Sequence, residues 1–148
     1  SFCYGFLLHE GRDIKRNILK AIHYYNDASS FNNKHAKNNL GIIYKNGFGD
    51  EIISRVGNAI EYFEEAIQQG DDCLSMYNLA HIYIYNKSFE KDFDKSLELL
   101  IISSRKFHHS LVLLCLVLIK KFGTDMDAIQ NQIEKISNKT DNLSSKVF

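Results

Sequence analysis

The sequence predicts an all-α fold, namely an α/α solenoid of about three and a half antiparallel helix pairs with a C-terminal capping helix. The chain contains no proline, the residue that most strongly disrupts helices. Tyr44 recurs as Tyr83, and Leu40-Gly41 recurs as Leu79-Ala80, both at a lag of 39 residues (83 − 44). Another set, at a lag of 38 residues (59 − 21), pairs Ala21, Tyr24, Tyr25 and Ala28 with Ala59, Tyr62, Phe63 and Ala66. Periods of this size are typical of stacked helix pairs.

The second repeat shows the helical pattern most clearly. Its first segment, residues 36–46, places small and apolar residues on one stripe that includes Gly41. Because glycine has no Cβ, Gly41 is predicted to lie at a close crossing of two helices. Gly47 follows the last periodic residue and predicts a left-handed C-cap. The second segment, residues 56–69, has a single apolar face made of Ala59, Ile60, Phe63, Ala66 and Ile67.

A further helix is predicted to start near Ser110. Residues 111–119 are nine consecutive apolar residues, under half of the roughly 20 that a membrane span needs. This segment therefore predicts a buried helix that is covered on more than one side.

The last helix is predicted to begin at residues 124–127, which resemble a capping box. A seam of period 3.5 follows, and we expect it to cap the array by packing on the preceding apolar helix. The seam consists of Met126, Ile129, Ile133, Ile136, Thr140, Leu143 and Val147. The predicted organisation is therefore a repeat array over 1–122, incomplete at its N-terminus because it enters inside a repeat, and a capping helix over 123–148 whose end frays.

The repeated positions resemble the Sel-like (Sel-one-like) repeat, a relative of the tetratricopeptide repeat, over roughly residues 1–122. In the second repeat, the matching residues are Ala36, Leu40, Gly41, Tyr44, Gly47, Gly49, Ala59, Tyr62, Phe63, Ala66 and Gly70. The third repeat departs from the pattern, since its aromatic pair is replaced by Leu99-Leu100. The resemblance implies a helical solenoid that binds other proteins.

The resemblance also implies a concave groove lined by the first helix of each pair. Carrying the inward positions over by register gives a polar and aromatic stripe that consists of Asn38, Lys45, Asn46, Tyr77, His81 and Tyr85. Such residues suit the capture of a partner peptide, because rings give contact area and amides hydrogen-bond a backbone. For Tyr77 and His81, packing between repeats is an equal alternative. For Ile42, Ile84 and Leu116, which share these rows, packing is the favoured interpretation.

No pattern in the sequence indicates catalysis, and we predict that the protein is not an enzyme and needs no cofactor or metal. Six histidines are present without an H-E-x-x-H or C-x-x-C motif, and no phosphate-binding glycine loop occurs. Lysine plus arginine equal aspartate plus glutamate at 18 each, so the charge balance favours neither nucleic acid nor an anionic membrane as a partner. The apolar run at 111–119 is too short for a membrane span, so we predict no direct membrane insertion.

The cysteines predict an intracellular, cytoplasmic protein. Cys3, Cys73 and Cys115 are odd in number and fall one per repeat, which is unlike a disulfide framework. We interpret them as three small buried apolar residues with free thiols.

The preferred function is a protein–protein interaction scaffold or adaptor. One alternative is a regulatory repeat array of a larger enzyme, such as a kinase, encoded outside this segment. The other alternative is a structural component of a large assembly. The sequence identifies no particular partner.

Overall fold

The computed structural model describes residues 2–11, 14–48, 50, 52–70, 72–86 and 92–144, with side chains up to residue 139. Within these ranges, the secondary structure consists of eight α-helices and one isolated antiparallel bridge, between Phe48 and Ile52. In chain order the helices are α1 (Phe2–Glu10), α2 (Ile18–Ser30), α3 (Lys34–Asn46), α4 (Val56–Gln68), α5 (Cys73–Tyr85), α6 (Phe93–Ser104), α7 (His108–Phe122) and α8 (Met126–Ser144). The all-α prediction is confirmed.

Short polar side chains start several of the helices. Each accepts a hydrogen bond from a backbone N–H three residues later, which satisfies a donor that the first helical turn leaves open. The pairs are Asn17 with Lys20, Asn33 with Ala36, Asp92 with Lys95 and Asp125 with Ala128, at 2.9 to 3.0 Å. Asp125 thereby confirms the predicted start of the last helix.

Gly47 ends α3 in the left-handed region, with φ +70°, and its N–H donates to the Ile43 carbonyl at 2.8 Å. A Cβ at this position would lie 2.9 Å from the Ile52 carbonyl oxygen. The predicted C-cap is confirmed, and the folded-back loop makes any larger residue unfavourable. Gly49, a position of the repeat pattern, lies outside the described residues.

The chain divides into two compact units, Ser1–Ser75 and Met76–Phe148. The division predicted from the sequence, into 1–122 and 123–148, is of another kind, because it separates the repeat array from the capping helix. That division stays a prediction.

In the first unit, α1 packs on α2, α2 on α3, and α3 on α4. The buried core consists of Leu8, Ile18, Ala21, Tyr25, Ala28, Ala36, Leu40 and Ile43. Repeat positions supply most of this core, since small residues at helical spacing let neighbouring helices approach closely.

Gly41 lies where α3 crosses α4. A Cβ on Gly41 would be 2.5 Å from Cε1 of Phe63, whose side chain is fully buried. Real Cβ contacts do not reach this distance, so the ring occupies the space that a side chain would need. The predicted close crossing is confirmed.

In the second unit, α6, α7 and α8 pack on one another. The buried core consists of Ala80, Ile84, Leu97, Leu100, Ile101, Leu113, Leu114, Val117, Leu118 and Ile136. Ile129 and Ile133 of α8 pack against it half-buried, whereas Met126 is 70% exposed. Three of the seven seam residues therefore lie against the core. The side chains of Thr140, Leu143 and Val147 lie outside the described residues.

The prediction that the apolar helix is covered on more than one side is wrong. Helices α6 and α8 pack on α7, and its buried residues lie on one side only. These are Ser110, Leu113, Leu114, Val117 and Leu118. The other side of α7 stays open and consists of Leu111, Val112, Cys115, Leu116 and Ile119.

The cysteines also differ from expectation, since Cys3 and Cys115 are exposed and only Cys73 is half-buried. We expect Cys3 and Cys115 to react with a thiol reagent such as Ellman's reagent in the native protein, because both residues are exposed. Cys73 should react fully only after denaturation. Absorbance titration with and without denaturant measures both classes. A disulfide in protein purified without reductant would contradict the intracellular prediction.

Within the described residues, no helix is both long and apolar enough to cross a membrane.

Candidate functional site

Tyr77, His81 and Tyr85 form a row of rings along one side of α5. The spacing of four residues places them one above the other on the helix. The ring centroids of Tyr77 and His81 are 6.3 Å apart, and those of His81 and Tyr85 are 4.7 Å apart. Tyr77 and His81 are half-buried, and Tyr85 is 46% exposed. The structure thus brings these three predicted groove residues together on an accessible surface.

Helix α7 runs alongside this row in the same direction. At the start of α7, the ring centroid of His109 lies 6.5 Å from that of Tyr77. At its end, Nζ of Lys120 lies 6.0 Å from the centroid of the Tyr85 ring. Val112 and Leu116 lie between these two contacts on the same side of α7 by helical spacing. We call Tyr77, His81, Tyr85, Val112, Leu116 and Ile119 the α5–α7 face.

Phe107, which directly precedes α7, was missed by the sequence analysis. Its ring packs edge-on against Tyr77 with centroids 5.5 Å apart and stacks on His109 at 5.0 Å. The two rings hold the Tyr77 end of the row in place. No repeat spacing relates Phe107 to Tyr77, so the pattern in the sequence offered no signal for this contact.

Leu116 also differs from expectation, because it is 54% exposed instead of packed. Ile84 is 1% exposed and packs in the core, as predicted. The sequence pattern could not separate these cases, since both residues lie in helices with apolar residues on several sides.

Lys45 and Asn46 lie at the end of α3 in the first unit. Lys45 is half-buried, and burial lowers the pKa of its ammonium group. Its carbonyl accepts a hydrogen bond from Ser54 Oγ at 2.8 Å. Asn46 is exposed. Both side chains stay predicted partner contacts.

Asn38 is buried, so its predicted place on the groove surface is wrong. It is 2% exposed, and its Oδ1 lies 3.1 Å from Ser75 Oγ. Ser75 is fully buried and is hydrogen-bonded to Asp72, the residue before α5. Asn38 therefore belongs to a buried polar cluster that pairs polar atoms inside the first unit.

A cleft of about 710 Å³ in the first unit is lined in part by Lys15, Arg16, Phe48 and Asp50. Arg16 is already engaged, because its guanidinium lies 4.3 Å from the Phe48 ring centroid and its Nε donates to the His9 carbonyl at 2.7 Å. Among the residues that the structure describes, no group of three histidine, cysteine or acidic side chains could hold a metal ion. The α5–α7 face instead combines exposed aromatic and aliphatic side chains on one accessible surface.

Comparison with known proteins supports the repeat assignment. The family model described as Sel1 repeat matches residues 4–30, 34–71 and 73–106, more than half of the chain. The structure resembles the crystal structure of a Sel1 repeat protein from Oxalobacter formigenes, with a TM-score of 0.73 and 16% identity, over 93% of this chain and 56% of that one. This likeness shows the α/α solenoid fold.

A second solved structure is a protective antigen present in uropathogenic Escherichia coli strains and displaying an SLR fold. It aligns with a TM-score of 0.48 and 15% identity, over 99% of this chain and 41% of that one. Thus the chain spans little more than half the length of the first structure and less than half of the second. No curated protein sequence matches the chain.

Proposed function

Since the chain belongs to the Sel1 repeat family, we propose that it is a non-catalytic scaffold whose α5–α7 face binds a protein partner. Sel1 repeats generally serve as protein–protein interaction scaffolds. The family supports the class of function, and the exposure of the α5–α7 face supports our choice of site. The predicted contacts Lys45 and Asn46 of the first unit are kept in the proposal, and Asn38 is left out because it is buried.

The main support is the exposed pairing of an aromatic row with an aliphatic row. Monomeric proteins rarely leave contiguous apolar surface open to water, and such surface marks interaction sites. Tyrosine contributes a large contact area and a hydroxyl at little entropic cost, and it is enriched among the residues that dominate binding energies. His81 lies between the two tyrosines, so removing its ring would interrupt the row.

We expect replacement of Tyr77 and His81 by alanine to weaken partner binding by about 1–3 kcal/mol, because the change removes two of the three rings of the row. Helical content should stay unchanged, since neither side chain is fully buried. The matched control replaces Tyr4 and His23, a tyrosine and a histidine that contact Tyr24 in the first unit, by alanine.

The immobilised chain, the double variant and the control would each capture proteins from native extract, with quantification by mass spectrometry. Calorimetry with each captured partner then gives the affinities. A partner that binds the Tyr77/His81 variant as tightly as the parent would place the interface elsewhere. The identity of the partner would separate an adaptor from the regulatory array of an enzyme or a component of a large assembly.

A further inference from the structure

We propose that the α5–α7 face binds an α-helix of its partner, and that this helix is amphipathic with acidic side chains beside its apolar stripe. The inference rests on the proposed function and names the chemistry of the partner. It follows from the apolar side of α7, from the absence of hydrogen-bonding groups along that side, and from the charges on α5 and α7.

The open side of α7 is unusually apolar for a surface helix. Val112, Leu116 and Ile119 are 61%, 54% and 57% exposed. They follow one another at spacings of four and three residues, so they form one stripe about two turns long. A stripe of this kind matches the ridge spacing of a second helix, whose apolar residues recur at the same intervals.

A helix fits this stripe better than an extended peptide. Residues 111–119 are all apolar, and their backbone groups lie within α7 and bond along it. An extended peptide laid along the α7 stripe would find no partner there for its backbone N–H and C=O groups, and the hydroxyls of Tyr77 and Tyr85 would pair only a few of them. A helix satisfies its own backbone and presents only side chains, so docking removes apolar surface from water without leaving backbone groups unpaired.

The charges on α5 and α7 favour a partner with acidic side chains. Neither α5 nor α7 contains an aspartate or glutamate. At the end of α7, Lys121 pairs with Asp94 of α6 at 3.0 Å. Lys120 has no ion pair among the described residues and lies beside Tyr85, next to the apolar stripe. A carboxylate on the docked helix would pair with Lys120, and no acidic side chain of α5 or α7 would repel it.

Two other occupants fit less well. A second copy of the chain that docked through the same face would oppose two surfaces that hold cationic but no anionic groups on α5 and α7, which is repulsive. An anionic membrane surface is favoured by clusters of basic residues, whereas Lys120 is a single lysine beside the face. Both remain outcomes of the test.

The test uses a synthetic amphipathic peptide of about 18 residues, long enough to form a stable helix on binding. Its apolar stripe is leucine and the flanking positions are glutamate. One matched peptide replaces every glutamate by lysine, and another places proline at the centre. Fluorescence anisotropy measures binding to the full chain. We expect the acidic peptide to bind at least about tenfold more tightly than either matched peptide.

Protein variants locate the binding. Leu116→Lys should weaken binding of the acidic peptide by about tenfold or more. Lys120→Glu should reverse the charge preference, so that the lysine peptide binds more tightly than the glutamate peptide. The matched controls are Leu19→Lys and Lys20→Glu on the exposed side of α2, where Leu19 is 56% exposed. These should bind like the parent. Circular dichroism checks that each variant keeps its helices.

Several results would overturn the inference. They are equal binding of all three peptides, no effect of Leu116→Lys, self-association in sedimentation that Leu116→Lys abolishes, or binding to phosphatidylserine vesicles in place of the peptide. A different result would separate this inference from the proposed function. If a native partner is captured through Tyr77 and His81 but the acidic peptide does not bind, the proposed function holds and only the inference of an acidic helical partner is wrong.

Discussion

Gly41→Leu is expected to destabilise the first unit by about 1–3 kcal/mol or more, because four added side-chain carbons must enter a filled crossing. A Cβ alone would lie 2.5 Å from Phe63 Cε1 and 2.8 Å from its Cδ1 and Cζ. Phe63 has little room to move, since its side chain is fully buried. Urea denaturation followed by circular dichroism measures the loss as a lower unfolding midpoint.

Gly57→Ala is the matched control, since Gly57 is also helical and a Cβ there would meet nothing within 4 Å. It should keep or raise the stability, by at most about 1 kcal/mol. Phe63→Leu combined with Gly41→Ala should lose less stability than the two single changes added together, because the smaller side chain relieves the clash. If Gly41→Leu unfolds at the parent's midpoint, α3 and α4 do not cross at this residue.

Deletion of the chain from Thr124 onward is expected to cause aggregation, because it removes α8 from the core of the second unit. Ile136 is 5% exposed within that core, and Ile129 and Ile133 pack against it. Without them, apolar side chains of α6 and α7 would face water in addition to the side of α7 that is already open. Light scattering and size-exclusion chromatography of the truncated chain measure the effect.

A point substitution shows whether the effect of the truncation comes from the lost core contacts or from the shorter chain. Ile136→Asp should destabilise the second unit by several kcal/mol, on the order of 2–5, since it buries a carboxylate where an apolar side chain packed. Met126→Asp on the same helix should have little effect, because Met126 is 70% exposed. A truncated protein that stays soluble and monomeric would show that α8 is not needed as a cap.

The features that the sequence predicts well are local. A cap at Asp125 or Gly47 depends on neighbours within a few residues along the chain, and the crossing at Gly41 follows from a pattern that recurs in each repeat. Helical periodicity therefore gave the order of the helices and much of the core. The same reasoning placed Tyr77, His81 and Tyr85 on one side of α5, because four-residue spacing determines that side.

What the sequence could not predict depends on distant partners. Helix α7 is apolar on every side, so periodicity cannot tell which side α6 and α8 cover. Asn38 has the spacing of a surface residue, yet it meets Ser75 of another helix and is buried. The contact between Phe107 and Tyr77 joins residues that no repeat relates. In each case, tertiary packing decides between faces that the local pattern leaves equivalent.

The separation of the two hydrophobic cores has a consequence for folding during synthesis. The first core uses residues 8–43, so its components are present before the second unit has been translated. The second core needs Ile136, which is made 14 residues (136 − 122) after the end of α7. At a translation rate of about 5–20 residues per second, Ile136 follows the end of α7 by about one to three seconds. From the time α7 leaves the ribosome until Ile136 follows it, the apolar side chains that α8 covers face water, which favours binding by chaperones or association between nascent chains.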